Sequence, residues 1–461
     1  MVPHGDFEIL TEQLGREPTT RYEVIVRCPP DGHPLVIRNH PLDAAGEPFP
    51  TLYWLTCPEA VRAISRIEST GEISRLNERG DAEEEFARSI QAAHDEYATE
   101  RARFVPEARS WGGVAGTRVG IKCLQAHFAN HLAGGEDPVG RWVATQIEPI
   151  HRPGCADRVA AIDQGTNSIR LLVADPTVDG GMEEIARDMV ITRLGQDVDR
   201  TGRLDPAALA RTVDVLQRYV RRAQALRAQR IHMSATSAVR DASNGEEFAS
   251  TVLELTGEPL DVISGEREAE LSFAGAVDAL EAQPPFLVVD IGGGSTEFAL
   301  GTRSPESSVS TQMGSVRLTE RYIASDPPAT SEMEAMRAEI GRILSEVESE
   351  VRVGDASTLV AVAGTATTAQ ALSLGLTRYE ASAIHRSTLS LDDARAVLER
   401  LSAMTNEERA ALPVMAPGSG DVIVAGCQVL VAMMERWGLD HALVSETDIL
   451  DGSAAELLRS G

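Results

Sequence analysis

Apolar residues fall along this chain in two regimes that meet near residue 150. In the first, Tyr22–Arg27 (YEVIVR) and Thr51–Thr56 (TLYWLT) are short β-branched and aromatic runs, the pattern of strands. Cys57-Pro58 then opens a helix through Ser69, with proline where the first turn tolerates it. A polar helix over 82–103 and another over 121–132 follow. In the second regime, apolar strands break at glycine-rich turns. Val159–Ile162 leads into Asp163-Gln164-Gly165-Thr166-Asn167-Ser168, and Ile169–Val173 resumes as strand. Phe286–Val289 leads into Asp290-Ile291-Gly292-Gly293-Gly294-Ser295-Thr296, and Glu297–Leu300 resumes. Between the regimes, EPIHRPGCAD carries two prolines, a glycine and no apolar periodicity, which marks 148–157 as a linker. The expected organisation is a small α/β or α+β unit over 1–147, followed by two α/β halves, 158–284 and 285–461. The last helix is a candidate to return to the first half.

The two glycine-rich segments form an internal repeat: an apolar strand ending in Asp, a turn of glycine and hydroxyl residues, then a second strand. Small residues at such a turn let backbone N–H groups approach a phosphate closely. Two copies a lobe-length apart predict a pair of jaws with phosphate between them. Gly165, Thr166, Asn167 and Ser168 would cradle phosphate in one jaw, and Gly292, Gly293, Gly294, Ser295 and Thr296 in the other. Asp290, where strand meets turn, is the candidate ligand for Mg²⁺ or another divalent cation, and Asp163 holds the same place in the first copy.

The bulk numbers narrow the function. A length of 461 residues suggests about three folding units. There is no apolar run of about 18 residues, so no membrane span is expected, and MVPHGDFEIL does not read as a signal peptide. Five widely spaced cysteines argue against a disulfide scaffold and for a reducing cytoplasm. A net charge of −27 disfavours nucleic acid as a partner. Lys122 is the sole lysine, a bias read as compositional.

Further segments repeat a known order: SATSAVRDASN (Ser234–Asn244), VISGEREAELSFAGA (Val262–Ala276), QMGSVRLTERY (Gln312–Tyr322), AVAGTATT (Ala361–Thr368) and SETDILDGSA (Ser445–Ala454). With the two hairpins, they make the region from 159 onward resemble the exopolyphosphatase/guanosine-pentaphosphate phosphohydrolase (Ppx/GppA) family. That resemblance implies a two-lobed actin/sugar-kinase/Hsp70-like (ribonuclease H-like) α/β fold. It also implies Mg²⁺-dependent hydrolysis of a terminal phosphoanhydride, in inorganic polyphosphate or guanosine pentaphosphate, and a possible homodimer. The longest members carry a helical C-terminal region that has no counterpart here, which implies short polyphosphate chains. GEPFPTLYWLTCP, GIKCLQ and DPVGRWV resemble an actinobacterial domain of unknown function, 501, with no activity implied.

Glu266, Glu268 and Glu270 are equivalent candidates by sequence alone, and all three suit a solvated helix start. The family motif selects Glu268 as the residue that directs the attacking water. The resemblance also implies Glu297 as a catalytic acid, Arg240 as a fork on phosphate, and Gly364 and Thr365 as a third turn on the cleft. A non-catalytic phosphate sensor or a phosphotransferase would use the same jaws without needing Glu268. Two other signals read as structural. Arg211, Arg218, Arg221, Arg222, Arg227 and Arg230 crowd the helix over 206–229, the pattern of a solvated face rather than a polyanion guide. Cys123, His127 and His131 share a helix face and would need Cys57 or His94 to hold zinc. With no CxxC pair, they read as half-buried Cys and His.

Overall fold

The computed structural model describes residues 6–28, 32–43, 45–147, 157–177, 180–278 and 280–460; the expected linker, except Asp157, lies outside them. Among the described residues, three sheets organise the chain. The first is antiparallel and contains β1 (Thr20–Cys28), β2 (His33–Asp43) and β3 (Tyr53–Leu55), in that order. β2 carries no strand signal in the sequence, because His33–Asp43 holds Pro34 and Pro41. The ladder accommodates Pro41 where the register slips between the Thr20–Asp43 and Tyr22–Asn39 pairs, a place where a missing N–H is tolerated. The polar helix expected over 82–103 runs over Glu84–Ala102, and a helix that was not expected, Glu72–Ala82, precedes it and parts from it at the extended Glu83.

The second sheet holds β4 (Val159–Gln164), β5 (Ser168–Pro176), β6 (Met182–Ile191), β7 (Arg230–Ala235) and β8 (Leu260–Val262), in the order β6-β5-β4-β7-β8. The third holds β9 (Phe286–Ile291), β10 (Thr296–Gly301), β11 (Pro305–Thr311), β12 (Thr358–Val362), β13 (Ser387–Ser390) and β14 (His441–Val444), in the order β11-β10-β9-β12-β14-β13. Both follow one plan: two antiparallel hairpins, then a parallel neighbour for the strand that ends in Asp. VAAIDQ and FLVVDI are buried along their whole length, as expected of strands covered on both faces.

The helices over these sheets are exchanged. Helix Gly265–Val277, which follows β8, packs on β9–β11, while the last helix, Ile449–Arg459, packs on β4 and β5. Val159, Ala161, Leu172 and Ala174 meet Leu450 and Ala454 there. The two helices cross at glycines. A Cβ on Gly275 would stand 1.9 Å from the Asp448 carbonyl oxygen, and one on Gly452 would stand 2.1 Å from that of Leu271. Only glycine permits this approach.

The N-terminal unit rides on the first lobe. β1 runs beside β6, and one apolar core continues from Val26, Val36 and Tyr97 to Val215, Leu216 and Tyr219. This overturns the reading of the arginine-rich helix as a solvated face. Along helix Pro206–Ala225, Arg222 is fully buried and bonds Asp188 at 2.9 Å, and Arg38 of β2 reaches the same carboxylate. Arg218 is buried between Glu96 and Glu100, and Arg221 bonds Glu96 and the Gly134 carbonyl. Arg218 and Arg221 thus meet acids and a carbonyl of the N-terminal domain, and Arg222 meets an acid of its own lobe that Arg38 of that domain shares. Of the six, Arg211 and Arg227 are exposed as expected, though Arg211 also bonds the Thr192 carbonyl, while the half-buried Arg230 bonds the Leu457 carbonyl.

Candidate functional site: an inter-lobe carboxylate cluster

Each Asp-ended strand turns back on itself over the same geometry. The Gly165 N–H donates to the Ser168 carbonyl at 2.9 Å, and the Gly292 N–H donates to Ser295 at 3.1 Å. The registers therefore correspond: Asp163 lies opposite Arg170 and Asp290 opposite Glu297. This one difference gives the jaws unlike charge. The first Asp faces a guanidinium, and the second faces another carboxylate.

Four carboxylates gather where the lobes meet: Asp163, Glu268, Asp290 and Glu297, each less than a tenth exposed. Arg170 donates to Asp163 Oδ2 at 2.7 Å and bridges to Asp448 at the start of the last helix. Asp290 Oδ2 accepts from Ser272 Oγ at 2.5 Å, and Glu297 Oε1 accepts from Ser310 Oγ at 2.7 Å. Arg240, in the short helix Ser237–Asp241, bonds the Ile263 carbonyl at 2.8 Å and lies 3.4 Å from Glu268 Oε2. Of the three equivalent glutamates, Glu266 and Glu270 are exposed and Glu268 alone is buried. Ser264 caps its helix, accepting from the Arg267 N–H at 3.2 Å, which fixes the turn that aims Glu268 inward.

Burial and mutual repulsion hold these groups toward the protonated form. Burial pushes Glu268 well above the usual carboxylate range, helped by Glu297 and Asp290 and opposed by Arg240. Glu297 is pushed up to about 8 by burial and by Asp290. Asp290 rises to about 6 through burial and Asp448. Asp163 rises through burial, with Arg170 opposing. Asp163 Oδ1 and Glu297 Oε2 are buried without a hydrogen-bond partner. Unpaired carboxylate oxygens among repelling neighbours are the donor set a hard divalent cation fits. Among the described residues these carboxylates do not bring three ligand atoms within 4.8 Å of one another.

The turn residues divide by role. Thr166 and Ser237 share a hydroxyl hydrogen bond at 2.8 Å. Asn167 is half-buried with Oδ1 unpartnered, and Ser168 begins β5. The jaws expected to enclose phosphate here touch each other. A Cβ on Gly293 would stand 3.1 Å from the Thr166 Cβ, and one on Gly294 would stand 2.5 Å from Ser237 Oγ. Ser295 and Thr296 are buried, and Thr296 commits its hydroxyl to the Met313 carbonyl. Gly364 and Thr365 are not a free turn: they open helix Ala363–Ser373. The parallel register sets Val362 beside Asp290, so this helix start adjoins the cluster.

Arg170, Ser237, Ser272 and Asp448 were missed by sequence reasoning. Arg170 was within reach, since a four-residue turn after Asp163 makes it the cross-strand partner. Ser272 and Asp448 arrive through helix packing, which leaves no local signal. On the helix face of Cys123, His127 and His131, buried contacts engage part of the set. His127 Nδ1 pairs with Asp137 at 2.8 Å, while His94 bonds the Gly120 carbonyl and the Val114 N–H.

Two lobes of one plan, with exchanged helices that cross at glycines, facing each other through matched Asp–Gly–hydroxyl turns, define the actin-like ATPase class of fold. Within that class the chain belongs to the Ppx/GppA phosphatase family, which matches residues 173–460. Residues 24–145 match the protein family of unknown function DUF501. The chain is 45% identical over 313 residues to exopolyphosphatase 2 of Mycobacterium tuberculosis, covering 65% of this chain and 98% of that protein. A crystal structure of an exopolyphosphatase-like protein aligns with TM-score 0.63 and 35% identity, over 66% of this chain and 98% of its own. The Ppx/GppA member of Aquifex aeolicus aligns with TM-score 0.57 and 29% identity, over the same shares. Among the described residues no helix is long and apolar enough to cross a membrane.

Proposed function

We propose that this protein is an exopolyphosphatase that removes terminal orthophosphate from inorganic polyphosphate. The observation that carries the reading is the buried carboxylate cluster with two unpartnered oxygens, set beside two phosphate-type turns. The relatives named as exopolyphosphatases support the substrate class.

In this reading Asp290 and Asp163 hold Mg²⁺, directly or through water. The bound cation would neutralise charge on the phosphate oxygens and draw the cluster's carboxylates to their ionised forms. Glu268 then accepts a proton from water as that water attacks the terminal phosphorus. The bond to the bridging oxygen breaks, and the chain leaves one phosphate shorter. Glu297 orients the same water from the facing strand. Gly165, Thr166, Asn167, Ser168 and Gly292, Gly293, Gly294, Ser295 grip phosphate oxygens once the touching turns part. Thr296 supports its turn from within. Arg240, now on Glu268, swings between that carboxylate and phosphate, and Gly364 and Thr365 present a helix start to the chain.

Phosphate release measured colorimetrically tests this with short and long polyphosphate, guanosine pentaphosphate and ATP, with and without Mg²⁺. Short polyphosphate is expected to be hydrolysed best. Glu268→Gln should lower kcat by about 10²–10⁴-fold with little change in KM. A wild-type protein that releases phosphate from none of them overturns the hydrolase reading. Preference for guanosine pentaphosphate keeps the chemistry and changes the substrate.

A further inference from the structure

The N-terminal unit holds a cluster that the hydrolase site does not use. Cys28, His33 and Cys57 bring two sulfurs and a ring nitrogen within 4.8 Å of one another. Three elements converge to do so. Cys28 ends β1 and His33 begins β2, and the ladder pairs them directly, with the Gly32 N–H closing the turn on the Cys28 carbonyl at 2.8 Å. Paired residues present their side chains on one face. On the other side of β2, Thr56 continues the β3 ladder. Its N–H donates to the Leu35 carbonyl and its hydroxyl to the Pro34 carbonyl, both at 2.9 Å. The next residue, Cys57, is thereby delivered beside His33 and precedes helix Pro58–Ser69.

Cys28 and Cys57 are buried, while His33 is half-exposed, so the cluster has an apolar floor and one open side. Cys57 sits at the start of helix Pro58–Ser69, where the amides of Glu59 and Ala60 face its sulfur. A thiolate is the form that ligates metal. Tetrahedral zinc with bonds near 2.3 Å places its sulfurs about 3.8 Å apart, so the observed convergence needs only a small contraction. Among the described residues this is the one group of three such ligand atoms gathered at metal-binding distance. Carboxylates are absent from it, which favours a thiophilic ion over Mg²⁺.

We propose that Cys28, His33 and Cys57 form a Zn²⁺ site in the N-terminal domain, with water or an outside ligand completing the tetrahedron on the open side. The site joins the end of the β1–β2 hairpin to the following helix. The adjacent Arg27 bonds both Asp6 and Glu184 of β6, so the metal would also brace the hairpin where it meets the first lobe.

The full chain, purified under reducing conditions, should carry about one equivalent of zinc by mass spectrometry of the metals. After chelation, titration with Co²⁺ should give a thiolate-to-cobalt charge-transfer band and the visible bands of a tetrahedral ion. Cys28→Ser and Cys57→Ser should lose both metal and spectrum, and His33→Gln should weaken uptake, whereas Cys123→Ser should keep full uptake. If the cysteine variants fail to fold, the wild-type cobalt spectrum decides alone. The proposal is overturned if the reduced wild type takes up neither ion, if it gives a spectrum without thiolate bands, or if uptake survives loss of Cys28 or Cys57. The outcome is independent of phosphate release, so failure here leaves the hydrolase reading standing.

Discussion

Asp163, Glu268, Asp290 and Glu297 are buried together against their electrostatic preference. Their raised pKa values have a consequence for stability. A carboxyl whose folded value exceeds its unfolded value of about 4 stabilises the fold while it stays protonated. That contribution is lost as pH rises through the folded value. For Asp290 the loss runs from about 4 to about 6, and for Glu297 from about 4 to about 8. The metal-free protein should therefore show a falling Tm as pH is raised across this window. Added Mg²⁺ should raise Tm more at the alkaline end than at the acid end, and calorimetry in chelator and in Mg²⁺ measures both slopes. A Tm independent of pH in chelator would refute the cluster's coupling. Arg170 limits the repulsion by answering Asp163 and Asp448 at once.

At the scale of elements, the crossing of helices Gly265–Val277 and Ile449–Arg459 carries the geometry. It sets Glu268 and Ser272 from one helix, and Asp448 from the start of the other, around the Asp-ended strands. Backbone contact at Gly275 and Gly452 leaves no room for a side chain. Gly275→Val should destabilise by about 1–3 kcal/mol or more by forcing the helices apart. It should lower kcat even where the protein remains folded, because Glu268 and Asp448 move with the helices. Chemical denaturation and the phosphate assay read the two effects separately. By contrast, Gly341 has open space around it and lies within helix Thr330–Glu350, so Gly341→Ala should be neutral or slightly stabilising.

At the scale of the whole molecule, the N-terminal domain shares a core and buried ion pairs with the first lobe. It also reaches the second lobe, where Arg378 lies 4.3 Å over the Phe7 ring. The relative from Mycobacterium tuberculosis aligns over 98% of its length with 65% of this chain, so lobes of this kind exist without such a partner. Here, however, Tyr219, Arg218 and Arg222 have been given over to the contact. A fragment of residues 157–461 should expose them. It should unfold at a Tm lower by about 5 °C or more, the shift that roughly 2 kcal/mol produces in a domain of this size. Light scattering should show association. An unchanged Tm would mean that the interface adds nothing to stability.

Local chemistry alone determined the two hairpins, their Asp ends and their hydroxyl-rich turns, because strand, turn and glycine all act within a dozen residues. The same reasoning reached the helix from Pro58 and could have reached Arg170 by counting across a turn. It failed at β2, where prolines hid a strand that a bulge made tolerable. It also failed on the arginines of helix Pro206–Ala225, whose periodicity was real but whose polar surroundings were another domain. Only tertiary structure decided that Glu268, rather than Glu266 or Glu270, is buried, that Ser272 and Asp448 join it, and that Cys28, His33 and Cys57 meet. Those outcomes depend on which surfaces the folded chain removes from water. A residue's neighbours in sequence do not fix its neighbours in space.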